Sequence, residues 1–300
     1  MHLASGPVTR RLALVLALGL AAPITAMPAA RAAESLKVGA NIGNVPWEFQ
    51  DAKGETVGFE VDLMKEVAKR LGDDVTFVNI PFTGLFAAVQ SGQIDAAVSS
   101  ITITGKRLAS VAFAQPYYDS DQSLTVLAKS GITDLKGMSG KVVGVDTGST
   151  GDIYATAHQA DDKFTEIRRY EGLAPAMLDL AAGRIDGYVS DIPALQYYVR
   201  DKPAYKVVQR IPTGEQYSVM MAKGSPLVAK VDAVLTTLKG EGYLAKLHQQ
   251  WFGAPAEATT STVKKAEIPV VSQFEIVTRS ARLAFGRADP ISLNISLTNR

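Results

Sequence analysis

Apolar and polar positions alternate between strand-like and helix-like spacing along most of the chain. Leu36 to Asn41 (LKVGAN) reads as a first strand, ending in a polar turn at Asn41 to Asn44. Pro46-Trp47-Glu48-Phe49 leads to a turn or hairpin tip at Asp51 to Gly54. Gly58 opens a helix to about Leu71, with Leu63, Val67, Ala68 and Leu71 as its apolar stripe. Glu60 and Asp62 complement its positive end, Lys69 and Arg70 its negative end, and Gly72 stops it. Val75 to Ile80 predicts a strand, Pro81 to Gln90 a helix, and Ile94 to Ser99 a strand. This β-α-β-α-β order is the pattern of a parallel sheet.

After Arg107 a short helix is expected, then an apolar strand at Ser123 to Ala128 and a loop at Leu135 to Gly140. A second β-α-β series follows, with strands at Lys141 to Val145, Phe164 to Arg168 and Ile185 to Ser190. Its helices run from Gly151 to about Gln159 and from Pro175 to Ala182. A helix at Pro193 to Val199, strands at Tyr205 to Gln209 and Tyr217 to Ala222, and helices at Leu227 to Lys239 and Tyr243 to Trp251 complete the pattern. From Ala254 the run APAEATTST reads as a linker. Val270 to Arg300 has no period and is expected to be poorly ordered.

The two series share a repeat. Gly92 to Ser99 and Gly183 to Ser190 both read Gly-x-Ile-Asp-x-x-Val-Ser, each after a helical run that follows a Gly-Leu pair, Gly84-Leu85 or Gly172-Leu173. Asp95 and Asp186, alike in both copies, are expected to bond backbone at the strand start. Ligands of open α/β sheets bind at strand carboxyl ends. One copy ends in Ser99-Ser100 and runs on to Arg107, and the other ends in Ser190-Asp191. Facing each other, they suit a small zwitterion.

Composition narrows the picture. Arg10-Arg11, the apolar run Leu12 to Ala22 and the A-x-A site at Ala30-Arg31-Ala32 predict a cleavable signal peptide over residues 1–32. The apolar run is too short to span a bilayer. Removing it leaves 28 basic and 30 acidic side chains, with no electrostatic footprint for nucleic acid. Cysteine is absent, so a free periplasmic protein without disulfide or lipid anchor is expected. Three scattered histidines make structural zinc improbable, and no cofactor is expected.

The site candidates have ordinary readings too. Ser99, Ser100 and Thr102 precede a helix start at Thr104, a plausible N-cap, and offer hydroxyls to an anion beside the Arg107 fork. The alternative is capping hydroxyls and a solvated arginine. Asp191 before Ile192-Pro193 also reads as an N-cap. Asp146 to Gly151 resembles a phosphate cradle but lacks the lysine and glycine spacing of nucleotide loops. Phe82 also reads as core.

Together, Gly58-Phe59-Glu60-Val61-Asp62-Leu63, Ser99 to Arg107, Phe113 to Tyr118, Gly140 to Val145, Ser190-Asp191 and Trp251-Phe252-Gly253 resemble, in order, the family 3 bacterial solute-binding proteins. The resemblance covers Leu36 to Gly253. It implies an α/β fold of two Rossmann-like lobes joined by two hinge strands, the type II periplasmic binding protein or flytrap. Residues 36–118 and 216–253 would form the first lobe and 119–215 the second, with hinges near Tyr117 to Ser120 and Thr213 to Tyr217. It further implies that Arg107 grips a ligand α-carboxylate with Ser100, Thr102 and Thr150, that Asp191 takes the α-ammonium, and that Phe82 covers the ligand. Asn41 stands where members binding basic or amide side chains often carry an acid, and Asn44 where they carry an aromatic. Asp146 offers a negative charge nearby, so Asn41, Asn44, Phe82 and Asp146 would set the side-chain preference. The expected function is a monomeric periplasmic receptor that delivers a polar amino acid to an inner-membrane ABC permease with its ATPase subunits. The alternative is an enzyme on the same scaffold, similar to the cyclohexadienyl dehydratases.

Overall fold

The computed structural model describes residues 35–272; the expected signal peptide and the tail beyond Ser272 lie outside them. In chain order come β1 (Ser35–Ala40), the hairpin β2 (Phe49–Gln50) and β3 (Thr56–Val57), α1 (Phe59–Leu71), β4 (Asp74–Asn79), α2 (Phe82–Gln90), β5 (Ala96–Ala97), α3 (Gly105–Leu108) and β6 (Val111–Phe113). The long β7 (Tyr118–Leu127) leads into β8 (Val142–Asp146), α4 (Thr150–Asp162), β9 (Glu166–Tyr170), α5 (Leu173–Ala181), β10 (Gly187–Asp191) and α6 (Ile192–Val199). The chain returns along β11 (Tyr205–Tyr217) to β12 (Met220–Ala222), α7 (Leu227–Gly240) and α8 (Tyr243–Phe252).

Two five-stranded sheets result, one per lobe, in the orders β4-β1-β5-β12-β6 and β11-β7-β10-β8-β9. In each, a central strand pairs in parallel with two neighbours: β1 with β4 and β5, β8 with β9 and β10. An antiparallel strand then adds beside the repeat strand, β12 on β5 and β7 on β10. The repeat is therefore structural, and its aspartates act alike. Asp95 accepts from the Lys37 amide at 2.8 Å and Asp186 from the Val142 amide at 2.9 Å, each tying the repeat strand to the central one. β7 and β11 pair antiparallel from Tyr118↔Tyr217 outward and are the only ladder running from one lobe to the other among the described residues. The segments expected as hinges, Tyr117 to Ser120 and Thr213 to Tyr217, lie at the Tyr118↔Tyr217 end of this ladder.

α1 shows how local sequence sets an element. Gly58 sits at φ 143°, and a Cβ there would lie 2.0 Å from the Trp47 carbonyl oxygen, so only glycine closes this entry. Phe59, Val61, Leu63, Met64, Val67 and Ala68 are buried on the first-lobe sheet. Trp47 is fully buried, edge-on to Phe59, Tyr118 and Tyr217, so the core reaches under the hinge. Truncating such an aromatic costs about 3–5 kcal/mol.

Several expectations change. The strand expected over Ile94 to Ser99 keeps ladder pairing only at Ala96–Ala97. Beyond it Ser100 takes φ 44° while its amide donates to Glu60, which bends the chain out of the sheet. Glu60 is thus a buried acceptor rather than a solvated complement to the helix dipole. The helix expected after Arg107 contains it, because Thr104 caps Gly105–Leu108 by accepting from the Arg107 amide. Val111–Phe113 then pairs with β12. The loop at Leu135 to Gly140 holds a 3-10 turn capped by Asp134.

The stretch expected as a linker is docked over its described part. The Ser261 amide donates to Asp119 at 2.9 Å, and Gln216 donates to the Ser261 hydroxyl at 2.8 Å. Thr262 donates to the Tyr117 carbonyl, and Ser261 and Thr262 are buried. Buried Lys239 donates to the Lys264 carbonyl. A polar Thr/Ser run has no apolar period to reveal such docking.

Candidate functional site

The cleft between the lobes is lined by residues from both sheets' carboxyl ends, and all eleven expected positions lie on it. Asn41, Asn44, Phe82, Ser99, Ser100, Thr102 and Arg107 come from the first lobe. Asp146, Thr150, Ser190 and Asp191 come from the second. The β1, β5, β8 and β10 ends bring them together, as strand carboxyl ends do in α/β sheets.

On the first-lobe wall the Ser99 hydroxyl donates to Glu48 at 2.6 Å, and Asn44 donates to the Ser100 hydroxyl at 3.1 Å. Behind them lie Glu48 and Glu60, both fully buried. The Tyr117 hydroxyl also donates to Glu60. Burial and the Glu60 charge push the Glu48 carboxyl well above the usual carboxylate range. Ser99 is therefore engaged inward. Its role is to anchor the turn on the core.

Arg107 is buried, not solvated. One of its nitrogens donates to the Thr102 carbonyl at 2.7 Å and another to the Gly148 carbonyl of the second lobe at 3.3 Å. Its guanidinium lies 5.3 Å from the ring centres of both Phe82 and Phe86. Phe82 is thus placed beneath the guanidinium as well as on the cleft. Burial lowers the Arg107 pKa to about 10, against the pull of Glu215 and Asp191, so the side chain stays cationic at neutral pH.

On the second-lobe wall Asp191 occupies the N-cap position of α6, yet its side chain makes no cap bond. Instead it accepts from the Gln122 amide at 2.5 Å. Burial, then the Glu215 charge, raises the Asp191 carboxyl to about 7. Asp146 ends β8 as a buried carboxyl, and burial raises it to about 6 against the lowering hydrogen bonds of Tyr188, the Gly172 amide and Ser190. Ser149 caps α4 by accepting from the Asp152 amide, which places Thr150 in the first turn.

Several residues of the cleft have no counterpart among the expected ones. Tyr170, the last residue of β9, and Glu171 line it. Gln122 and Glu215 lie beneath it on the two hinge strands, both buried. In β11 the buried positions are Ile211, Thr213, Glu215 and Tyr217, a period of two with an acid in phase with the apolar residues. That alternation was the available signal. Arg107 is the one cationic side chain lining the cleft among the described residues, against the carboxylates of Asp146, Glu171 and Asp191.

Comparison with known proteins places this geometry. The family model for bacterial extracellular solute-binding proteins, family 3, matches residues 36–254. The histidine-binding periplasmic protein of Escherichia coli (strain K12) is 37% identical over 181 residues, 59% of this chain and 69% of that protein. The arginine-, lysine-, histidine-binding protein ArtJ of Geobacillus stearothermophilus superposes with a TM-score of 0.69 at 30% identity, over 75% of this chain and 98% of that one. An ancestral amino acid-binding protein, a precursor of cyclohexadienyl dehydratase, superposes at 0.68 with 32% identity, over 73% of this chain and 95% of that one. A two-lobed α/β chain with a strand-end cleft and this family match admits one assignment: the protein belongs to the bacterial extracellular solute-binding proteins, family 3.

Proposed function

We propose that the protein is the periplasmic receptor of an ABC importer for an L-amino acid with a cationic side chain, exported by the signal peptide at residues 1–32. The observation that carries this reading is the charge of the cleft, where Arg107 faces Asp146, Glu171 and Asp191. A zwitterionic backbone uses Arg107 for its carboxylate and Asp191 for its ammonium. Asp146 and Glu171 are left over, and a positive side chain answers them. The relatives named for histidine, arginine and lysine support the same class. Asn41, where an acid was the alternative, is compensated by Asp146 across the cleft.

Binding and closure follow from the same contacts. Arg107 belongs to the first lobe and Asp191 to the second, so a bridging ligand interacts better with lobes together than apart. That differential drives closure about the β7–β11 hinge, and the closed form is what a permease would receive. Calorimetry over arginine, lysine, histidine, glutamine and glutamate tests the reading. Arginine or lysine should bind tightest and glutamate should not bind. Glutamate or glutamine binding more tightly than every cationic amino acid overturns it.

A second reading has its own observation. Asp146 lines the cleft with its carboxyl raised to about 6 by burial, which is the protonation range a general acid for elimination needs. Turnover of prephenate or arogenate would favour an enzyme, and its absence leaves the receptor.

A further inference from the structure

Both threonines expected to serve a ligand carboxylate are engaged elsewhere. The Thr102 hydroxyl donates to Glu215 Oε2 at 2.7 Å, and the Thr150 hydroxyl donates to the same oxygen at 2.8 Å. Thr102 belongs to the first lobe, Thr150 to the second, and Glu215 to the hinge strand β11. The other oxygen, Oε1, accepts from Gln122 Nε2 at 2.9 Å and from Thr213 at 3.1 Å. Gln122 also donates to Asp191. One buried carboxylate therefore gathers donors from both lobes and both hinge strands. A hydroxyl has a single proton. With that proton committed to Glu215, both hydroxyls are fixed in direction, and the Thr150 oxygen also accepts from Gln122 Nε2 at 3.2 Å.

We propose that Glu215 is a positioning residue of the amino-acid site, fixing the hydroxyl direction of Thr102 and Thr150 and, through the Gln122 amide, the orientation of Asp191. The inference rests on the amino-acid receptor reading above and deepens it. It leaves Arg107 as the carboxylate's anchor. It also couples lobe approach to ligand recognition, because the Thr102–Glu215–Thr150 junction forms only when the lobes are near.

The groups acting on Asp191 give a readout that mere structural support would not move. They are the Glu215 and Asp146 carboxylates, the Tyr217 hydroxyl, the Gln122 amide and the Arg107 guanidinium. Glu215 raises the Asp191 carboxyl, and the Gln122 hydrogen bond lowers it. An ammonium binds ionised Asp191, so affinity falls as pH drops through the Asp191 titration. Replacing Glu215 by Gln removes a raising influence and moves that acid limb to lower pH. Replacing Gln122 by Met removes a lowering influence and moves the limb to higher pH.

The experiment is calorimetric titration of arginine, whose α-carboxylate and guanidinium keep their charges and whose α-ammonium stays mostly protonated in this range, into the full chain, Glu215→Gln and Gln122→Met between pH 5 and 8.5. Melting curves accompany each to establish that the variants fold. At pH 8.5, where Asp191 is ionised in all three, both variants should bind about tenfold or more weakly than wild type. Their acid limbs should move in opposite directions. Glu215→Gln within about twofold of wild type with an unmoved limb, or both limbs moving together, overturns the proposal. Should Glu215→Gln fail to fold, an upward limb in Gln122→Met supports it and an unmoved limb overturns it. Wild type binding none of the amino acids would instead fell the receptor reading, and this inference with it.

Discussion

Glu48 and Glu60 lie side by side in the core, and at this scale a single proton decides what they do. Burial penalises charge on both, and the Glu60 charge adds to the penalty on Glu48. Glu48 is therefore the carboxyl of the pair that favours its protonated, neutral form more strongly. Glu60 accepts from the Ser100 amide at 2.9 Å and from the Tyr117 hydroxyl. These bonds hold the turn that carries Ser99 and Ser100 to the cleft. Glu48→Gln replaces a neutral acid by a neutral amide and should change stability by less than about 1 kcal/mol. Glu60→Ala strands a buried amide and a buried hydroxyl and should cost about 3 kcal/mol or more, since each unsatisfied buried group costs roughly 1–3 kcal/mol. Chemical denaturation of the two variants separates these outcomes. Equal losses would mean that Glu48 is ionised in the fold. Arg107 permits a second prediction here. Arg107→Ala should weaken arginine binding by about two to three decades, because the ligand carboxylate would be left in the cleft without a partner. Titration calorimetry measures it.

Among elements, the hinge shows most clearly what patterns reveal and what they hide. α1 and the two β-α-β series were legible because a glycine-bounded apolar stripe and a repeated Gly-x-Ile-Asp signal are local. The repeat also led to two residues of the cleft lining, Asp191 at the end of β10 and Arg107 in α3 after β5. Glu215 was not legible, since its meaning depends on β11 being in phase with Thr213 and Tyr217 and on partners from three other segments. β5 was overextended because Glu60, forty residues upstream in sequence, bends the chain at Ser100. The segment after Ala254 was hidden for a related reason. Its attachments are polar contacts to residues from 25 to 145 positions away. These contacts meet the hinge at the Asp119↔Gln216 pair. Ser261 bonds both residues, with its amide and hydroxyl toward Asp119 and Gln216 donating to its oxygen. The family match ends at residue 254, before this attachment. Ser261→Ala should cost about 1–2 kcal/mol. It should also speed amide hydrogen exchange at Tyr117, whose N–H donates to the Tyr217 carbonyl at 2.9 Å at the end of the hinge ladder. Unchanged exchange there would make the segment a passenger on the hinge.

For the whole molecule, the cleft acids set ligand affinity and unliganded stability on opposite slopes with pH. Asp146 and Asp191 have folded-state values of about 6 and about 7, above the 3.8 of a free aspartate. A carboxyl raised on folding binds protons more tightly in the folded state. Its contribution to stability is full below the unfolded value and is lost as pH rises through the folded one. Without ligand the protein should therefore lose this contribution between about pH 4 and pH 7. Asp146→Asn/Asp191→Asn removes both titrations and isolates their share. The double variant should melt above wild type at pH 8, by about 2–4 °C for each kcal/mol of burial cost removed, and should approach it near pH 4. Ligand affinity runs the other way, since arginine needs Asp191 ionised. Saturating arginine should accordingly raise the wild-type melting temperature far more at pH 8 than at pH 5, through mass action on the folded state. It should raise that of the double variant little at either pH. A site destabilised by its own uncompensated charge and stabilised by the ligand's opposite charge favours the liganded, closed form near neutral pH. Melting curves of both proteins, with and without arginine at the two pH values, decide it. Parallel pH slopes for wild type and variant would mean that the cleft carboxylates are already compensated within the fold, leaving no charge for a cationic ligand to answer.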